Sequence, residues 1–423
     1  MLELSSYHRW GADVSDEQGR PDRPDRAVDV HTSHIVNACQ AAGIDVGVER
    51  LPNEDPDFLH QREVILVRDG YIEAVRTVVG GGDPADGLID GVTLYSLQGA
   101  QISDTVGALA AIDAQLGVGV AAPNHVLWHS VAHMCPASEP EEVPAVPGPD
   151  PGVSAGRKGS GVFVYVADTG LLEDGPAHTW LTGVTGETDP VDAAHGRQTR
   201  IPPYTGHGTF VAGVARCMAP AAEVQVGRLL HHAGAHLESD IIKRLDEALG
   251  QGPDIISLSA GGSSRRDLPP LGFEALWQRY RHYKGVLLVA AAGNSSSRRP
   301  FWPAAFPHVV SVGALAADWR SRASFSDYGG WVDVYAPGEG LVNAYATGTY
   351  ECHEPPNAGA VREFHGMARW SGTSFSTPLV SGLIAARMSS TGENSRRAAD
   401  ALLAKARSQA LPGVGPVLYP GEG

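Results

Sequence analysis

From residue 161 onward the chain alternates between short apolar runs and longer segments whose apolar positions recur every three or four residues. Residues 162–167 form a continuous apolar run, the pattern of a strand covered on both faces. Further strand-like runs cover 224–230, 254–259, 285–292, 309–315 and 332–335. Helical spacing appears between them: Ile241, Ile242, Leu245 and Leu249 share a side of 239–249, and Leu276 and Tyr280 a side of 273–283. An apolar run over 379–388 has helix-like composition, and 393–409 reads as a final polar-faced helix. Strands alternating with helices predict an α/β fold, a mostly parallel sheet with helices on both faces. Such sheets bind ligands at the carboxyl ends of their strands. Asp168 ends the first run and Asn294 follows the fourth, so both fall on that edge.

The first part of the chain patterns differently. Residues 1–57 read as an N-terminal arm, with Pro21 and Pro24 among charged residues. Val30, Ile35, Val36, Ala38 and Cys39 predict a short helix within 27–42. A small α+β domain is expected over 58–137. It would hold strands at 63–68, 91–97 and 126–131 and a helix over 104–116. Val106, Leu109, Ile112 and Leu116 form that helix's apolar face, and Asp104 its N-cap. A Pro/Gly-rich linker over 138–160 follows, carrying Pro140, Pro144, Pro147, Pro149 and Pro151 just after Pro136. Such composition stays extended and exposed, where cleavage concentrates. The α/β domain then occupies 161–423.

Composition narrows the partners. A chain of 423 residues suggests about two to three domains. The formal net charge of −16 argues against nucleic acid and anionic membrane surfaces as partners. No apolar run reaches the ~18 residues a membrane span needs. The polar N-terminus lacks the apolar core of a secretory signal, so a cytoplasmic start is expected; a misassigned start or another export route would make the protein secreted. Cys39, Cys135, Cys217 and Cys352 match no metal-ligand spacing. They read as mostly free thiols, with a Cys217–Cys352 bridge left open.

The candidate chemistry lies in three segments. In Arg369-Trp370-Ser371-Gly372-Thr373-Ser374-Phe375-Ser376-Thr377-Pro378 a serine stands at the start of an apolar helical run. Backbone N–H groups and the positive helix end tolerate negative charge there. Serine needs a base, and Gly206-His207-Gly208 supplies one at the head of another helical run. Asp168, in Val166-Ala167-Asp168-Thr169-Gly170, can orient that base. Each also has a bland reading: a serine-rich cap, a structural histidine, and an acid bonding its own turn. Asp174, Asp189 and Asp192 are rival acids in polar loop.

Together, in this order, the segments resemble those of the subtilisin-like serine proteases, over about 161–389. The resemblance implies a serine endopeptidase acting on polypeptides, with Ser374 as nucleophile, His207 as general base and acid, and Asp168 as orienter. Asn294, in Ala290-Ala291-Ala292-Gly293-Asn294, matches the family's oxyanion asparagine. Ser259, Ala260 and Gly261, with Ala292 and Gly293, match the cleft where substrate adds as a strand. The N-terminal domain resembles an inhibitory prodomain, an intramolecular inhibitor and chaperone, with 122–126 near its end. Maturation would then begin the active fragment between Ala137 and Gly159.

Three features depart from family habit. Leu171-Leu172-Glu173-Asp174-Gly175-Pro176 stands where a His-Pro segment is usual. Phe375 replaces a common, oxidisable methionine. No acidic loop has clear calcium spacing, so no cofactor or metal is expected, with calcium left open at the acids of 173–192. The segment 290–293 carries no acid, which suggests an apolar residue before the scissile bond. Rival functions remain a silent or latent family member serving as a binding module, and an esterase or acyl-transferase on the same triad.

Overall fold

A computed structural model describes residues 25–50, 56–128, 139–143, 148–173, 175–191, 199–230, 234–283, 285–354 and 356–423. Pro21, Pro24, Cys135, Pro136, Pro144, Pro147, Asp174, Asp192 and the 129–131 end of the third expected strand lie outside them.

Helix α1 (Asp25–Ala41) precedes strands β1 (Val46–Arg50) and β2 (Pro56–Arg68). Then come helix α2 (Ile72–Val79), strands β3 (Asp83–Ile89) and β4 (Val92–Ser96), helix α3 (Thr105–Leu116) and strand β5 (Ala121–Trp128). These strands pair antiparallel in the order β3-β4-β2-β5, with β1 also on β2. The two-residue side-chain period sorts β2. Ile65 and Val67 join Val75, Val79, Leu109 and Ile112 under α2 and α3, whereas Leu66 faces the opposite core. Asp104 caps α3 by accepting the Gly107 N–H at 2.7 Å. Strand β5 begins five residues before the expected strand, with Pro123 opposite Ile65 inside it. No element was expected at α2 or β3. Pro84 and Gly87 weaken the strand signal of β3, and its register against β4 shifts at both.

The remainder runs β6 (Phe163–Asp168), β7 (Thr185–Gly186), α4 (His207–Met218), β8 (Glu223–Arg228), β9 (Ala235–Leu237), α5 (Glu238–Leu249) and β10 (Ile255–Leu258). It continues α6 (Leu271–Tyr280), β11 (Leu287–Ala291), β12 (Val310–Leu315), β13 (Val334–Pro337), β14 (Leu341–Glu351), β15 (Val361–Trp370), α7 (Thr373–Thr391) and α8 (Ser395–Ser408). Seven strands form a sheet in the order β13-β12-β11-β10-β6-β8-β7, and every pairing is parallel. Val164 and Val166 of β6 pack with Phe210 and Val214 of α4 and Leu379 and Leu383 of α7. Tyr165 and Ala167 pack on the other face with Ile241 and Leu245 of α5 and Phe273 of α6. Burial on both faces is why β6 reads as an unbroken apolar run.

The N-terminal sheet is packed onto this unit. Leu66, Leu88, Val92 and Leu127 share one hydrophobic cluster with α5 and α6. At the start of α5, Ser239 N–H donates to Asn124 Oδ1 at 3.0 Å, which satisfies a helix-end donor. Beside it His125 Nδ1 donates to Glu238 at 2.8 Å, both side chains buried. Strand β9 continues the N-terminal sheet by pairing antiparallel with Val126–Trp128.

Candidate active site

Strand β6 delivers Asp168 at its last position, 0% exposed. Its Oδ1 accepts the Thr169 N–H and His207 Nδ1–H, each at 2.8 Å. His207 is the first residue of α4 and 3% exposed. With Nδ1 as donor, Nε2 is the basic nitrogen of the neutral ring. Gly208, the second residue of α4, stands against the acid loop. A Cβ there would lie 2.3 Å from the Gly170 carbonyl oxygen, so the acid and base loops pack backbone to backbone.

Asp189, a rival acid, has other work. Its Oδ2 accepts Thr169 Oγ1–H and Gly206 N–H, both at 2.7 Å. Burial pushes its carboxyl up to about 6. It therefore braces residues next to Asp168 and His207, while Asp168 holds the imidazole.

Ser374 is the second residue of α7 and 4% exposed. Its hydroxyl donates to the Ser259 carbonyl at 3.3 Å, and Ser259 Oγ donates to the Ser374 carbonyl at 2.9 Å. The His207 ring centroid lies 5.2 Å from both the Trp370 and Phe375 rings, which flank the Ser374 turn. Phe375 is buried and also packs on Phe210 at 4.5 Å.

Asn294 is 1% exposed, and its Oδ1 accepts both N–H and Oγ1–H of Thr373 at 2.9 Å. That fixes the carbonyl end of the amide. A Cβ on Gly372 would lie 3.5 Å from Asn294 Nδ2, so the donor end faces the turn that carries Ser374. No motif pointed to Thr373, although a hydroxyl beside the candidate nucleophile was a signal.

The cleft residues divide. Gly261 exchanges backbone hydrogen bonds with Trp128, at 2.9 and 3.0 Å. Since β9 pairs with the other edge of residues 126–128, this strand of the N-terminal sheet lies between β9 and Gly261. Ser259 and Ala260 are buried beside it. Ala292 donates to the Val312 carbonyl at 2.9 Å, and Gly293 N–H to Thr373 Oγ1 at 3.2 Å. Although 290–293 carries no acid, Asp327 stands directly behind it. Gly293 has φ +104°, and a Cβ there would lie 2.2 Å from Asp327 Oδ2.

Cys39 and Cys217 are buried free thiols, so the Cys217–Cys352 bridge is not formed, and Cys352 is buried as well. Burial pushes the Cys39 thiol up to about 11 and Cys217 to about 12. Among the described residues, no group of three or more His, Cys, Asp and Glu is placed to hold a metal ion, and no helix is long and apolar enough to cross a membrane. Within 173–191, Glu187 accepts the Arg228 N–H at 2.6 Å and pairs with Arg244.

Residues 159–414 match the model of the subtilase family. Thermitase of Thermoactinomyces vulgaris is 32% identical over 250 residues, 56% of this chain and 78% of that one. A thermophilic serine proteinase of Bacillus sp. (strain AK1) is 32% identical over 250 residues, covering 56% of this chain but 54% of its own. The solved structure of fervidolysin from Fervidobacterium pennivorans aligns with 86% of this chain and 61% of its own. At a TM-score of 0.57 and 18% identity it shows the shared fold. A buried aspartate–histidine pair opposite a serine at a helix start, on a parallel sheet of this order, accords with those relatives: the chain belongs to the subtilase family and is a serine-type endopeptidase.

Proposed function

We propose that this endopeptidase works through an acyl-enzyme on Ser374. The observation that carries the reading is the buried 2.8 Å bond from His207 to Asp168 beside the Ser374 turn. His207 Nε2 takes the Ser374 proton as Oγ attacks the substrate carbonyl carbon. Asp168 keeps the proton on Nδ1 and stabilises the imidazolium. Asn294 Nδ2 and the Ser374 backbone N–H receive the developing oxyanion. His207 then hands its proton to the departing amine, and water hydrolyses the ester with His207 again as base.

The N-terminal domain acts as an intramolecular inhibitor in this reading. Residues 126–128 take the main-chain partners at Gly261 and β9 that a substrate strand would use. Fluorophosphonate labelling of the full chain beside Ser374→Ala, followed by SDS gel and N-terminal sequencing, tests both parts. Labelling of wild type alone supports the nucleophile, and a new N-terminus between the sheet and β6 supports the inhibitor. Equal labelling of the two proteins rejects Ser374. Full activity of an uncut chain rejects inhibition.

A further inference from the structure

We propose that Asp327 is a positioning residue for the reaction: its carboxyl group fixes the loop that presents Asn294 to the oxyanion. The proposal rests on reading Asn294 as an oxyanion donor.

The loop leaves β11 at Gly293 and must hold its backbone while charge develops in front of it. Asp327 Oδ1 accepts Ser295 N–H at 2.9 Å and Ser297 N–H at 2.7 Å. The Asp327 N–H donates to the Gly293 carbonyl at 2.9 Å. On either side, Ser296 N–H donates to Phe325 O at 2.8 Å and Tyr328 N–H to Ser297 O at 2.9 Å. Asn294 thus sits inside a turn stitched to 325–328. Ser296 has φ +50°, a conformation that persists in a non-glycine residue only when its surroundings over-determine it. Asp327 supplies much of that determination, being 2% exposed and placed against Gly293 so that only glycine fits. Thr373 fixes the side chain of Asn294 and Asp327 its backbone, which leaves the amide one direction to face. A donor fixed before the reaction stabilises an oxyanion more than one that must first be oriented.

The choice of a carboxyl group has a signature. Burial, opposed by the Ser295 and Ser297 N–H groups and by Arg322, pushes Asp327 up to about 8. Tyr335 also interacts with it electrostatically, and the Arg322 guanidinium lies over the Tyr328 ring at 4.3 Å. Near neutral pH the acid is mostly protonated and still accepts both N–H groups at its carbonyl oxygen. At higher pH it ionises behind the loop, and its charge opposes the oxyanion forming on the other side.

The test measures peptide hydrolysis by the full chain, before and after limited proteolysis, from pH 6 to 10. Wild type, Asp327→Asn, Asp327→Ala, Asn294→Ala and the double alanine variant are compared. Asp327→Ala should lower kcat about 10–100-fold with KM changed less than about threefold. Asp327→Asn, which keeps an acceptor oxygen, should restore most of that loss and remove the decline in kcat centred near pH 8. Asn294→Ala should cost less in the Asp327→Ala background than in wild type, since the two act on one donor. Additive losses, or a pH profile of Asp327→Asn superimposed on wild type, would overturn the proposal while leaving the triad reading intact. If Asp327→Ala does not fold, the Asp327→Asn profile decides. A wild-type chain that hydrolyses nothing after proteolysis removes the oxyanion reading and this proposal with it.

Discussion

Two buried aspartates, one at the end of β6 and one behind the Asn294 loop, hold different kinds of partner. Asp168 holds a side chain, the His207 imidazole, that gains a positive charge during catalysis. Asp327 holds backbone dipoles that gain none. A carboxylate facing a nascent cation is useful only when ionised. One hydrogen-bonded to backbone dipoles in a dry site is governed by burial, which outweighs those dipoles and the Arg322 charge and favours the neutral acid. The same residue type is therefore divided by its partner: on one side charge is required, on the other geometry is.

The largest effect should come from Asp168→Asn. Keeping the shape and removing the charge should lower kcat about 10⁴-fold, since the imidazole loses its oriented tautomer. A loss under about tenfold in hydrolysis of a chromogenic peptide would erase the contrast. Next is Asn294→Ala, with an expected kcat loss of about 10²–10³-fold and little change in KM. A change in KM alone would move Asn294 from transition-state to ground-state binding.

His308 supplies a control away from both arms. It stacks on Trp277 with centroids 3.6 Å apart, and burial with the nearby Arg396 charge lowers it to about 4. The unfolded chain takes up this proton near pH 6.5, before the folded one does. Stability from this group is therefore full above about 6.5 and is lost as pH falls toward 4, by at most about 3 kcal/mol. Thermal unfolding across this range should show that loss in wild type and less of it in His308→Phe. Equal slopes would remove His308 from the acid response.

The smallest expected effect is Trp128→Pro, which deletes the N–H donated to the Gly261 carbonyl. One such hydrogen bond is worth about 1 kcal/mol, so fluorophosphonate labelling of the uncut chain should quicken up to about tenfold. Unchanged labelling would show that the 126–128 strand does not limit access to either arm.

The candidate triad was legible because each member sits in a short segment whose neighbours carry the pattern: an apolar strand before Asp168, and helical runs after His207 and Ser374. The parallel sheet was legible for the same reason, in strands apolar on both faces. The β14–β15 hairpin was not. Its first half is buried nearly throughout but built from Asn343, Ala344 and Ala346, and its register slips between Ala344 and Thr347. A two-residue period cannot survive that. Asp327 was hidden for a different reason, since its meaning depends on Ser295 and Ser297 across a loop, and no local pattern encodes a cross-loop acceptor. The route of residues 126–128 to Gly261 likewise depends on docking between two sheets.

Part of the expected processing region itself is fastened to the β14–β15 hairpin that leads into the Ser374 turn. Glu141 exchanges backbone hydrogen bonds with Arg369 at 2.8 and 2.9 Å, and Asp150 with Val342 at 2.9 Å each way. Glu139 accepts from the His353 N–H at 2.6 Å and the Tyr350 hydroxyl at 3.1 Å. This matters to anyone manufacturing a shortened enzyme. A version trimmed to begin before Glu139 keeps every stitch, whereas one starting after Asp150 unfastens the hairpin that ends at Trp370. An affinity tag or immobilisation handle at the new N-terminus therefore belongs upstream of Glu139, which leaves the seam beside Ser374 intact.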